Sequence, residues 1–187
     1  MGIEIVLTES IPRQPARTVP VEPSGETADY GDRVDDEQAM ELALAEAQAA
    51  LAHGDVPVGA VVLVAGDVVA RRHNERERLR DPTAHAELLA MADAARALGT
   101  WRLDPVTVVV TLEPCPMCAG ALWAGRVGRV VYGAPNLDAG ACGSLYNLCA
   151  DPRLNHEVAV THGVLAERCS ALLTAFFGER RGDGPLP

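Results

Sequence analysis

The run Val106-Thr107-Val108-Val109-Val110-Thr111 is β-branched at every position and carries no charge, so it has no face to offer to water. A half-exposed strand alternates apolar with polar residues, whereas a continuous run suits a strand covered on both faces. Such a strand demands layers above and below it, and the flanking sequence supplies them. Met40, Ala43, Leu44, Ala47 and Leu51 recur at helical spacing and stop near Gly54. Val58 to Val64 and Val68 to Ala70 flank the turn Ala65-Gly66-Asp67, the pattern of a hairpin. A helix is expected from about His85 to Leu98, closed by Gly99. Beyond the central run come a helix over Pro116 to Ala124, a strand over Arg129 to Tyr132 and a Gly- and Ala-rich loop over residues 133 to 143. A short helix near Ser144 to Cys149, a strand at Glu157 to Thr161 and a last helix from Leu165 to about Arg180 complete the pattern. Strands alternating with helices predict an α/β fold, a three-layer α/β/α sandwich on a mixed central sheet of about five strands.

The 187 residues, 48% of them apolar, fit one globular domain, and the regular pattern places it at residues 36–181. Residues 1–35 mix Pro, Gly, Ser and acids without periodicity and read as a disordered extension, either a solvated tail or a regulatory arm. Residues 182–187 read as a flexible tail. No apolar run is long enough to cross a bilayer and the start lacks the pattern of a signal peptide, so no membrane association and a cytoplasmic location are expected. Five cysteines make an odd set in such a chain, which favours reduced thiols or metal ligands over a disulfide framework.

Net charge is −10, with no lysine: all 16 cations are arginine. Residues 1–35 hold seven acids against three arginines, so the remainder still carries −6. That balance argues against a nucleic-acid partner, whose phosphates usually meet a basic surface.

Two segments carry chemistry, Pro82-Thr83-Ala84-His85-Ala86-Glu87 and Glu113-Pro114-Cys115-Pro116-Met117-Cys118, and each opens an expected helix. Cys115 and Cys118 are three apart on one helical face, so both sulfurs can reach one ion. The helix start favours thiolate over thiol, and Pro116 suits a first-turn position. A Cys-x-x-Cys pair alone is a weak signal, shared by structural zinc sites and redox dithiols; the accompanying His-x-Glu disfavours the redox reading. Three good ligands, His85, Cys115 and Cys118, leave the fourth position of a zinc site to water. Glu87 would stand beside that water and move protons, or would simply favour the helix dipole as a first-turn carboxylate. Cys142, Cys149 and Cys169 are scattered singly and read as packing. His53, His73, His156 and His162 belong to no ligand-spaced pair and read as solvated or core residues.

His85-Ala86-Glu87 with Pro114-Cys115-Pro116-Met117-Cys118 resembles the cytidine deaminase superfamily, whose zinc signature is the one expected of deaminases acting on nucleic-acid bases. The longer stretches Asp81 to Glu87 and Thr111 to Gly120 look like the bacterial tRNA-specific adenosine deaminases. So do Val56 to Ala60, Gly128 to Gly133 and Leu172 to Phe177, and the resemblance runs from about residue 36 to about 181. It implies one zinc per chain on His85, Cys115 and Cys118, with Glu87 shuttling protons as the wobble adenosine of a tRNA becomes inosine. It implies Asn74 and Ala86 at the substrate, a homodimer, and anticodon-loop contacts in the segments of Asn136, Phe176, Phe177, Arg180 and Arg181. Taken singly, Asn74 is a turn residue and the two Phe are core residues. The loop Ala134 to Asp138 and the missing lysines depart from the common pattern. Two alternatives carry the same zinc signature or part of it: a deaminase of free guanine, cytosine or their nucleosides, and a non-catalytic zinc-binding module.

Overall fold

The computed structural model describes residues 33–181. The extension expected to be disordered lies outside the described residues up to position 32, as does the tail 182–187. Helix α1 (Asp36–Ala50) starts on a capping box, in which the Asp35 carboxylate accepts the Gln38 N–H and the Gln38 side chain accepts the Asp35 N–H. A 3₁₀ turn, Leu51–His53, ends it at left-handed Gly54. Strands β1 (Gly59–Val64) and β2 (Asp67–His73) form the hairpin, then α2 (Arg76–Leu79), α3 (Ala86–Leu98), β3 (Val106–Leu112), α4 (Pro116–Ala124), β4 (Arg129–Ala134), β5 (Ala159–His162) and α5 (Ala166–Arg181) follow.

The strands lie in the order β2-β1-β3-β4-β5. β1 is antiparallel to both of its neighbours, and β3, β4 and β5 are parallel. This is the expected mixed five-stranded sheet, and its side chains divide the core by alternation. Ala60, Val62, Val108, Val110, Val130 and Tyr132 pack against α3 and α4. Val61, Leu63, Val109 and Val131 pack against α1 and, through Cys169, α5. The central valines are fully buried on both faces, as their unbroken run requires.

Gly59 lets α1 lie against β1: a Cβ there would come within 2.0 Å of the Ala43 carbonyl oxygen. The hairpin turn is two residues, Ala65 and Gly66, both at positive φ, and Asp67 already pairs with Val64. It is one residue tighter than the three-residue turn expected from sequence, because paired positive φ matches the twist of the flanking strands.

One expected element is absent. Residues 144–149 form turns and a single bridge between Cys142 and Asn147 instead of a short helix. The cause is Glu113, whose Oε1 accepts the backbone N–H groups of Cys142 and Ser144. Those donors are held outward, while the Leu145 and Tyr146 N–H groups turn to the Gly140 carbonyl. Helix α2, conversely, has no counterpart in the sequence pattern. Its four residues are too few for periodicity, and Asp55, distant in sequence, accepts the Glu77 and Arg78 N–H groups of its first turn.

Candidate active site

Strands β2, β3 and β4 all point the same way, so their carboxyl ends meet at one end of the sheet. Ligand sites of α/β sheets gather at such ends. Asn74 follows β2, Glu113 follows β3 and Asn136 follows β4. The amino termini of α3 and α4 arrive at the same end and bring His85, Glu87, Cys115 and Cys118 with them. His85 and Cys115 are the N-cap residues of their helices, with extended backbone. Cys118 lies one turn into α4, behind Pro116 at the first helical position.

The His85 Nδ1 is 3.8 Å from the Cys115 Sγ and 3.5 Å from the Cys118 Sγ. Zinc bound tetrahedrally by imidazole at ~2.0–2.1 Å and thiolate at ~2.3 Å separates nitrogen from sulfur by about 3.6 Å. The donor set and its spacing therefore fit that ion. Within the trio, the Cys115 thiol is lowered to about 3, by the hydrogen bond from Cys118 foremost and by His85, against the effect of burial. The same hydrogen bond, with burial, pushes the Cys118 thiol up. The two neighbours thus favour the anionic form of Cys115, and thiolate is the form that binds metal.

Glu87 is 4% exposed. Burial pushes its carboxyl up from the ordinary carboxylate range, opposed by its own backbone N–H and the charge on His85. A carboxyl raised in this way holds a proton more readily than an exposed one, which suits a group that must take up and release protons.

The cavity beside these groups has a volume of about 150 Å³ and reaches Val56, Val58, Asn74, Arg76, Leu112 and Asn136. Drug-sized ligand sites run to ~300–1,000 Å³, so this one has room for a single ring system. Asn74 is buried, and its Oδ1 accepts the Ala86 N–H at 2.9 Å. The oxygen is spent on opening α3, which leaves the amide NH₂ as what Asn74 can offer a ligand. Ala86 itself is fully buried, with its N–H taken by Asn74.

Glu113 organises the far wall. Beyond Cys142 and Ser144, it accepts the Asn136 N–H at 3.0 Å and the Ser144 hydroxyl. Burial alone would raise its carboxyl, but these four hydrogen bonds, led by the Ser144 hydroxyl, together outweigh it and hold the group below its usual range. Asn136 in turn accepts the Ala139 N–H, which folds the loop back on itself.

His85, Glu87, Cys115, Asn74 and Asn136 thus share one cavity, with Cys118 buried behind it. The candidates on α5 do not line it. Phe176 is buried, edge-on to the exposed Phe177, and lies under the Arg180 guanidinium at 4.4 Å. Arg180 also donates to the Gly54 carbonyl. Arg181 closes α5, and its side chain lies outside the described residues. Arg76 lines the site with no distinct signal in sequence, and Glu113 lines it with no role read for it although it opens the segment Glu113 to Cys118. The one available pointer was the density of cations in Arg71-Arg72-His73-Asn74-Glu75-Arg76-Glu77-Arg78-Leu79-Arg80, five arginines in ten residues.

Residues 33–134 match the cytidine and deoxycytidylate deaminase zinc-binding region. The chain is 49% identical over 146 residues to the tRNA-specific adenosine deaminase of Bacillus subtilis strain 168, covering 78% of this chain and 91% of that one. A solved structure from work on A-to-I editing by tRNA:A34 deaminases at the wobble position of transfer RNA is 40% identical, with a TM-score of 0.70, over 72% of this chain and 98% of that one. A guanine deaminase from Nitrosomonas europaea is 28% identical, with a TM-score of 0.65, over 78% of this chain and 86% of that one.

Proposed function

This chain belongs to the tRNA-specific adenosine deaminases, within the cytidine and deoxycytidylate deaminase family, and from that premise we propose that it hydrolyses the wobble adenosine of a tRNA anticodon to inosine and ammonia. The observation that carries the proposal is the convergence of His85, Cys115 and Cys118 at zinc-binding separations beside buried Glu87. One zinc per chain, held by these three side chains, would supply the Lewis acidity that makes water nucleophilic near neutral pH.

The chain's own residues do the rest. Glu87 accepts the proton of the attacking water as its oxygen bonds to C6 of adenine, and delivers that proton to N1. It then carries the second proton of the water to the exocyclic nitrogen, the C6–N bond breaks, and ammonia leaves. The Asn74 NH₂ donates to an acceptor nitrogen on the purine, while Val56, Val58 and Leu112 supply an apolar slot that excludes bulk water.

An acidic chain can still bind an anticodon loop, because single-stranded recognition rests largely on bases stacked and hydrogen-bonded at their edges. Arg76, exposed at the cavity, is placed to meet a flanking phosphate, and arginine does so with a planar fork. Arg72 and Arg78 beside it are held by Glu75. Asn136, Phe177 and the α5 arginines remain candidates for the outer loop contacts. The reading includes a homodimer in the cytoplasm. Leu137, Leu145 and Tyr146, exposed in the segment that follows Asn136, support the dimer; among the described residues no helix is long and apolar enough to cross a membrane.

The test is metal analysis with X-ray absorption on the purified chain, paired with ammonia release from an adenosine-bearing anticodon stem-loop. One zinc with two sulfurs and one imidazole nitrogen, and loss of ammonia release on chelation, are expected. A shell of four protein ligands, or deamination that survives chelation, would contradict the proposal.

A further inference from the structure

His53, on the turn after α1, and His73, at the end of β2, were unremarkable as separate histidines, but the fold brings them together. Their Nε2 atoms are 3.2 Å apart and the rings stack with centroids 5.2 Å apart. Each ring is held from behind by a carboxylate: His53 Nδ1 is 3.0 Å from Asp55 Oδ2, and His73 Nδ1 is 2.9 Å from Glu46 Oε2.

This arrangement fixes the tautomers. A carboxylate accepts only, so both Nδ1 atoms carry their protons, and neutral rings then direct two Nε2 lone pairs at one another. Facing lone pairs repel, and a positive species between them removes the conflict. Carboxylate support behind an imidazole is also the usual arrangement of a metal-ligating histidine, since it sets the tautomer and raises the basicity of the ligand. A carboxylate oxygen of Glu75 lies within 4.8 Å of a ring nitrogen on each histidine. Two nitrogens 3.2 Å apart, each ~2.1 Å from one ion, subtend roughly 100° at it, between octahedral and tetrahedral angles. Glu75 is buried and ion-paired to Arg72 and Arg78 through separate oxygens, which leaves a lone pair on each. The two imidazoles are about a fifth exposed, so an ion can reach them.

We propose that His53, His73 and Glu75 form a second divalent-cation site, apart from the thiolate site, that takes a nitrogen-preferring transition ion such as zinc. Imidazole and carboxylate donors suit zinc, nickel and copper rather than magnesium or calcium. A bound ion would tie the end of α1 to the end of β2. His73 immediately precedes Asn74, so it would also brace the residue that opens α3 and lines the cavity.

The test titrates zinc into the full chain already loaded with one zinc, by calorimetry near neutral pH and again at about pH 5, below the ordinary imidazole range. One further equivalent is expected near neutral pH and none at about pH 5. His53→Gln and His73→Gln, made separately, should each weaken that step at least tenfold while keeping the first ion. To keep the test independent of folding in the variants, nickel added to the wild-type chain should broaden the imidazole NMR signals of both histidines together. Absence of a second equivalent, or a second equivalent unchanged in both variants, overturns the proposal. So does a histidine pair that shares a proton and ignores added nickel. None of these readouts depends on which base the enzyme deaminates.

Discussion

Replacing Glu113 with glutamine keeps the shape of the side chain and removes its charge, so it isolates what the carboxylate contributes. In the wild type, four donors converge on it: the N–H groups of Asn136, Cys142 and Ser144 and the Ser144 hydroxyl. A glutamine can keep its oxygen toward Cys142 and Ser144, and the Ser144 hydroxyl can turn to accept from the new NH₂. The Asn136 N–H is then left facing another donor. An unsatisfied buried donor costs about 1–3 kcal/mol, and the surviving bonds lose their charge assistance, so a net loss of about 2–4 kcal/mol is expected. For a domain of this size that corresponds to a fall of roughly 4–16 °C in melting temperature. The pH dependence supplies a second check. The Glu113 carboxyl is held below its unfolded value of 4.5, so its stabilisation is complete above that pH and is lost as pH falls through the lower folded value. Thermal melts of both proteins from pH 7 downward should therefore converge in acid. Zinc at the thiolate site should be retained while turnover falls, because Asn136 loses its anchor. A Glu113→Gln protein that melts within a degree of wild type at pH 7, or a difference that does not shrink in acid, would refute this account of the loop.

Glu87→Gln should retain zinc and fold and lose about 10²- to 10⁴-fold in single-turnover rate, since an amide fills the space without carrying protons; near-normal turnover would remove Glu87 from the mechanism. Gly59→Ala should lower stability by at least about 1–3 kcal/mol in denaturant titrations, because the new methyl meets the backbone of α1; an unchanged midpoint would show that the helix gives way freely. Deleting residues 1–32 should leave the melting temperature nearly unchanged. Deleting 1–35 should lower stability by about 1 kcal/mol, because Asp35 caps α1 and the Val34 N–H bonds to the Gly66 carbonyl.

The contrast between those two deletions shows where the sequence was readable. The boundary at residue 36 followed from periodicity, which registers apolar faces and overlooks a capping residue and a single backbone bond. Helices α1 and α3 and the hairpin were legible from local spacing and turn residues, the double-faced strand from its unbroken β-branched run, and α4 and α5 from the residues that bound them. Residues 144–149 misled because Leu145 and Leu148 are spaced as in a helix, while the competing acceptor, Glu113, lies some thirty positions earlier. Helix α2 was invisible for the converse reason, its first turn being held by Asp55. The cluster of His85, Cys115 and Cys118 was legible because Cys115 and Cys118 are neighbours on one helix and His85 has Glu87 beside it. Asn74, Arg76 and Glu113 share the same cavity only through the sheet, and the His53–His73 pair spans 20 positions, so none of these juxtapositions had a local spacing to announce it.

This cavity is proposed to act on an adenosine presented by an anticodon loop. Single-turnover deamination of a stem-loop with adenosine at the wobble position is to be set against the same stem-loop with adenosine moved one position, and against free adenosine, guanine and cytosine. If remote contacts to the loop hold the base at the site, the wobble stem-loop should react far faster than any other substrate and yield inosine at that position alone. Faster turnover of free guanine or cytosine than of the wobble stem-loop would contradict the claim and make this a small-molecule deaminase.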